Sequence, residues 1–175
     1  MKKIELPLTK DNISQLKVGQ EVLLSGTIYT ARDSAHKRLT RAIREGKKLP
    51  IPLEAQIIYY AGPTPSPPEK VMGSCGPTTA SRMDSFTPLL LAAGLKGMIG
   101  KGDRSYEVIR AIRKYKAVYF VTVGGAGALL ATRIEEAKIV AFKDLGPEAI
   151  YKLRVRDFPV IVGIDSKGRN VYRKE

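Results

Sequence analysis

The chain has little with which to bind a metal. Among 175 residues there is one cysteine, Cys75, one histidine, His36, and no tryptophan. A single cysteine excludes an internal disulfide and fits a reducing compartment. It also excludes a metal cluster held by this chain alone, because such clusters take several thiolates. A lone histidine excludes a histidine-rich zinc site within the chain. Aromatic residues are only 7% of the total, which gives no base-stacking platform for nucleic acid. Long apolar runs are missing as well. The longest uncharged stretch, residues 117–132, holds three glycines and falls short of the roughly 20 residues a membrane helix needs. The first ten residues contain no continuous apolar run and do not read as a signal peptide, so a soluble, cytoplasmic protein is expected.

What the chain has is positive charge. Thirty Lys and Arg face 17 Asp and Glu, a formal net charge of +13. Nucleic acid, an acidic protein or an anionic substrate would each answer such a charge. No zinc-finger spacing, RNA-recognition motif or heptad-bearing basic region accompanies it. Apolar content of 43% and charged content of 27% describe a globular chain, and the length suits one domain spanning residues 1–175.

Strand and helix patterns alternate, which places the chain in the α/β class. Residues 4–8 read as a short edge strand, and Pro7 argues against a central one. Residues 18–29 read as a strand with a bulge or bend at Gly26. Asp33 or Ser34 can cap a helix running to about residue 45, and Gly46 ends it. Residues 55–60 form a second apolar strand, followed by a segment with four prolines at 62–69 that reads as a stiff loop. A helix is expected at about 84–93 and a strand at 95–99. Ser105 can cap a helix at about 106–115, and residues 117–123 read as a strand buried on both faces. A glycine-rich turn at 124–127 and a helix at 128–134 follow. A strand is expected at 138–142, and Pro147 fits the first turn of a helix reaching about residue 155. Residues 158–164 read as a strand, closed by a hairpin turn at 165–168 before Val171 and Tyr172.

The densest chemistry lies at residues 73–101. Its centre reads Gly76-Pro77-Thr78-Thr79-Ala80-Ser81-Arg82-Met83-Asp84. A turn, capping residues and an arginine suit a helix N-terminus that receives a carboxylate or phosphate. An ordinary capped helix with a surface arginine has the same local pattern. Gly100-Lys101-Gly102 lets backbone approach an anion while the ammonium points at it.

The nonamer resembles the signature of the C-terminal domain of class I, iron–sulfur-dependent fumarases and the related tartrate dehydratases. Four more segments agree in order: Thr30 to Arg38, Tyr60-Ala61-Gly62-Pro63-Thr64-Pro65, Ile99 to Ser105, and Gly124-Gly125-Ala126-Gly127-Ala128. Five ordered motifs are a specific signal. The resemblance implies a three-layer β/β/α swivelling domain. It implies a hydro-lyase that reversibly hydrates fumarate to (S)-malate, a citric acid cycle step. The reaction would use a [4Fe–4S] cluster, which the single cysteine assigns to a cysteine-rich α subunit in a heterodimer or heterotetramer. This chain would then be the β subunit. The resemblance assigns the substrate-clamping cations to Arg32, Arg82 and Lys101, and the proton-transferring residue to Thr78. His36, Thr79 and Asp84 are candidates for support, with Asp84 or a partner residue helping Thr78. Two positions depart from the family: Ser81 stands where glycine is usual, and Asp103, an extra negative charge near Lys101, where asparagine is usual. Arg82-Met83-Asp84 and Gly102 to Ser105 look more like fumarases than tartrate dehydratases. A tartrate dehydratase β subunit and, in a different class, a basic nucleic-acid-binding module remain the alternatives.

Overall fold

The structure is a computed structural model and describes residues 1–64, 72–122 and 126–173. The elements in chain order are β1 (Lys2–Glu5), α1 (Lys10–Gln15), β2 (Glu21–Thr30), α2 (Asp33–Arg44) and β3 (Ile57–Tyr59). A 3-10 turn (Ala80–Met83), α3 (Thr87–Ala92), β4 (Gly97–Gly100), α4 (Tyr106–Tyr115) and β5 (Val118–Val121) follow. The chain ends with α5 (Gly127–Ala131), β6 (Ile134–Ala141), a second 3-10 segment (Lys143–Glu148) and β7 (Ile150–Ile164). The expected proline-rich loop lies largely, and the turn glycines Gly124 and Gly125 wholly, outside the described residues.

Seven strands form one sheet in the order β1-β2-β3-β4-β5-β7-β6. An additional β2–β7 pairing closes β2, β3, β4, β5 and β7 into a ring. Strands β1 to β5 run parallel to their neighbours, while β7 is antiparallel to β2, β5 and β6. The parallel wall β2 to β5 therefore faces a second wall made of β7 and the outer strands. Apolar side chains between the walls form one core, including Leu24, Ile28, Tyr59, Phe120, Leu153 and Phe158. On the other face of the parallel strands, Ile58, Met98 and Tyr119 pack against α2, α3 and α4 through Leu39, Leu90 and Ile112. The three layers are thus β, β and α, as the resemblance implied.

Two expected elements form differently. The helix expected from Pro147 to residue 155 is instead the first half of β7. Leu153 and Val155 are buried while Arg154 and Arg156 are exposed, a period-2 alternation that a helix cannot satisfy. The alternation changes phase where Asp157, at φ 49°, bulges opposite Ser25–Gly26, and its N–H donates to Ser25 Oγ at 3.0 Å. Pro159 is tolerated because β6 pairs with β7 only up to Val155 and β5 only from Ile161, leaving that side open between them. Gly26, with φ 132°, stands where β2 and β7 change register, although the extra residue is in β7; a Cβ there would lie 2.8 Å from Leu6 Cβ, so only glycine lets the chain after β1 pass.

The second difference concerns the central motif. It does not run straight into the apolar helix: Ala80–Met83 is a 3-10 turn, and α3 begins only at Thr87, with Pro88 in its first turn. The N-cap of α2 is Arg32, without a side-chain cap bond, and Asp33 stands in the first helical turn. Ser105 caps α4 as expected, accepting from Val108 N–H.

Candidate functional site

The candidate residues gather at the C-terminal ends of the parallel strands. Arg32 follows β2 at the entrance to α2, Tyr60 and Ala61 follow β3, and Lys101 follows β4. The motif segment crosses these ends. Pro77 bridges antiparallel to Ala61, and Thr79 bridges parallel to Lys101. Between the bridges, the Thr78 N–H donates to the Tyr60 carbonyl at 2.7 Å. Thr78 is therefore seated between the ends of β3 and β4, half-buried, and the Ala80 N–H donates to the Lys101 carbonyl at 2.9 Å.

Arg82 swings back toward α2. Its Nε and Nη2 both donate to Asp33 Oδ2, at 3.1 and 2.9 Å, and its side chain is half-exposed. Asp33, taken from the sequence as a cap, instead ties Arg82 to the first turn of α2. The Arg32 side chain lies against the backbone: a Cβ on Gly62 would sit 3.0 Å from its Cδ and Nη1. Arg32 Nε and Asp33 Oδ1 are buried without a partner among the described residues. A buried polar atom left open is a place where water or a ligand completes the bonding.

His36 and Asp84 sit behind this face. His36 is fully buried, its ring edge-on to Tyr60 at 5.5 Å and 5.8 Å from Phe86. Its Nδ1–H donates to the Arg32 carbonyl at 2.8 Å, so it steadies the backbone of Arg32. Burial, the dominant influence, pushes its pKa down to about 4. Between that value and the ordinary 6.5 the unfolded chain binds more protons than the folded one, so stability falls as pH falls. We expect denaturant unfolding to show a loss of about 2 kcal/mol from this histidine between about pH 6.5 and 5, a loss that His36→Gln abolishes. A slope unchanged in the variant would assign the acid sensitivity elsewhere.

Asp84 accepts from Arg104 Nε on one oxygen, at 2.6 Å, and from the Ser105 N–H on the other, at 2.8 Å. Both oxygens are thus committed to joining the Arg82 turn to the Lys101 loop. Arg104 is the residue that sequence reasoning passed over. Its guanidinium is fully buried between the rings of Tyr60 and Tyr119, 5.2 and 4.7 Å from their centroids, and also donates to Tyr60 Oη and Thr87 Oγ1. The quoted motif contained it, but nothing in a Gly-Asp-Arg-Ser string says that this arginine points inward. Thr79 is exposed. Ser81, one of the departures from the family, is exposed as well. Cys75 is fully buried, and burial pushes its thiol up to about 12, so it is a poor metal ligand. Among the described residues no three His, Cys, Asp or Glu side chains group as a metal site. An iron–sulfur cluster does not fit this chain's residues. Among the described residues no helix is long and apolar enough to cross a membrane.

The mixed β/β/α domain thus carries Arg32, Thr78 and Lys101 where its parallel strands end. The chain belongs to the family described as fumarase C-terminus, whose model matches residues 1–175. It is 42% identical to the anaerobic class I fumarate hydratase of Escherichia coli K12 over 93% of this chain and 30% of that protein. It is 40% identical to fumarate hydratase 2 of Leishmania major over 94% of this chain and 29% of that protein. It is also 39% identical to the putative L(+)-tartrate dehydratase subunit beta of Methanocaldococcus jannaschii, over 95% of this chain and 89% of that protein. The chain therefore spans under a third of the fumarate hydratases it matches and most of the β subunit.

Proposed function

We propose that this chain, as a single domain, is the β subunit of a two-chain class I fumarate hydratase. The complex reversibly hydrates fumarate to (S)-malate, with a [4Fe–4S] cluster carried by a cysteine-rich α subunit. The observation that supports the reading is that Arg32, Thr78 and Lys101 all stand where the parallel strands end, with Arg82 tied to Asp33 at the start of α2. On this reading Arg32 and Arg82 supply forked partners and Lys101 a point charge for the two carboxylates of a small dianion. The same cations stabilise the extra negative charge that develops on a carboxylate when the neighbouring carbon loses its proton. Thr78 is the group that exchanges that proton. Asp84 is occupied by Arg104 and Ser105, so the group that activates Thr78 comes from the partner. The two-chain arrangement is supported by the near-complete overlap with a β subunit.

The test is a tagged pulldown from the source cell. The eluate is assayed anaerobically for iron, sulfide and malate–fumarate interconversion beside the isolated chain. A cysteine-rich partner with iron, and activity in the complex alone, is the expected result. A chain that elutes alone and stays inactive with candidate partners sinks the reading. The L(+)-tartrate dehydratase β subunit is the second reading, favoured by the overlap with that relative. Turnover of tartrate rather than malate by the complex would select it.

A further inference from the structure

Lys101 lies in a loop held from two sides. Toward the motif, its carbonyl accepts from Ala80 N–H and the Gly102 carbonyl accepts from Tyr119 Oη at 2.8 Å. The other side is held by residues 170–173, which return to the sheet after β7. Asn170 bridges antiparallel to Ile164, and the Val171 N–H donates to the Gly163 carbonyl at 2.9 Å. That anchor delivers three side chains to the loop. Asn170 Nδ2 donates to Asp103 Oδ1 at 2.7 Å, Arg173 Nε donates to Asp103 Oδ2 at 2.9 Å, and the Gly102 N–H donates to Tyr172 Oη at 3.2 Å. Arg173 also donates through Nη2 to the Arg104 carbonyl at 2.6 Å and lies over the Tyr106 ring at 4.3 Å.

We infer that Arg173, acting through Asp103 and beside Tyr172, is a positioning residue that fixes where Lys101 presents its ammonium. The inference rests on the reading of Lys101 as a substrate cation. It explains one departure from the resembled family. A carboxylate at position 103 accepts from the Arg104 N–H and Asn170 on one oxygen and from Arg173 on the other. An asparagine has one acceptor oxygen and would present an amide N–H2 to the guanidinium. Aspartate at 103 therefore goes with arginine at 173, and its charge is matched there rather than against Lys101. Gly102, at φ 87°, gives the loop a backbone conformation that glycine adopts freely. Lys101 and Tyr172 also line one groove of about 530 Å³ with Val121, Leu129 and Ile161, so movement of the strap changes the wall beside the ammonium.

The experiment has two arms on the same variants. In the assembled enzyme with (S)-malate and fumarate, Arg173→Ala raises KM about tenfold while kcat stays within about threefold, because a binding cation is misplaced rather than lost. Arg173→Lys keeps the charge but loses the fork, and restores only part of the affinity. In the full chain by itself, amide hydrogen exchange of residues 100–106 quickens in Arg173→Ala, while peptides from β3 and the centre of β7 keep their protection. Unchanged exchange at 100–106 overturns the restraint. Faster exchange with unchanged KM overturns its bearing on substrate. A wild-type complex with no hydratase activity overturns the proposed function instead, and the exchange arm still decides whether the strap holds the loop.

Discussion

Arg104→Ala is expected to destabilise the folded chain by about 3–5 kcal/mol, the range for removing one partner of a buried ion pair. The Arg104 side chain is fully buried, and its carboxylate partner Asp84 is only 15% exposed. Truncation strands that carboxylate, frees Thr87 Oγ1 and empties the space between Tyr60 and Tyr119. In thermal unfolding the loss corresponds to a fall in Tm of about 10 °C for a chain of this length. Arg104→Met separates the contributions, because it fills most of the volume but still leaves Asp84 unpaired. Adding Asp84→Asn to Arg104→Met is expected to recover part of the loss, and the double-mutant cycle gives the coupling. A cost of under about 1 kcal/mol for Arg104→Ala would show that the hub is dispensable.

Thr78→Ala is expected to lower turnover of the assembled enzyme by about 10²–10⁴-fold, the usual contribution of a positioned proton-transfer group. That corresponds to roughly 3–5 kcal/mol of transition-state stabilisation. The fold should not register the change. Thr78 is held by its backbone, through its N–H to the Tyr60 carbonyl and the flanking bridges at Pro77 and Thr79, none of which alanine removes. Partner binding and Tm should therefore match the parent. Thr78→Ser keeps the hydroxyl and should retain most of the turnover. Near-normal turnover in Thr78→Ala would remove this residue from the role and point to a group on the partner.

The residues nominated from the sequence share one end of the sheet, yet the way they are joined was not written in the motifs. Arg32, Thr78 and Lys101 each follow a strand or lie across a strand end, which is legible wherever a strand pattern breaks at Gly or Pro. The link from Asp33 to Arg82 spans two distant segments, and Asp33 has the local pattern of a helix cap, so nothing nearby in the chain announces the pairing. Arg104 is harder still. A charged residue beside an exposed-looking turn is read as solvated, and only the aromatic walls of Tyr60 and Tyr119 make an interior guanidinium tenable. The β7 misreading has a different cause. Pro147 is compatible with a helix start, but the alternation of Leu153, Arg154, Val155 and Arg156 is the stronger signal, because it spans both faces of a strand. The motif glycines and Pro-rich segment pointed to loops, and loops carry few periodic restraints from which geometry can be read.

The closed ring has a consequence for how the protein is made. Val22 finds its antiparallel partner in Val160, and Val121 finds its own in Ile161, so β7 is the member that turns an open wall into a closed one. During synthesis the parallel wall emerges first, with Leu24, Ile28 and Phe120 on a face that has nothing yet to cover it. Pairings so far apart along the chain are slow to form, and an uncovered apolar sheet is prone to self-association while it waits. The cover for that face therefore arrives only with β7. A ribosome-bound nascent chain lacking β7 should be held by cellular holdases, and release of β7 from the exit tunnel should end that dependence.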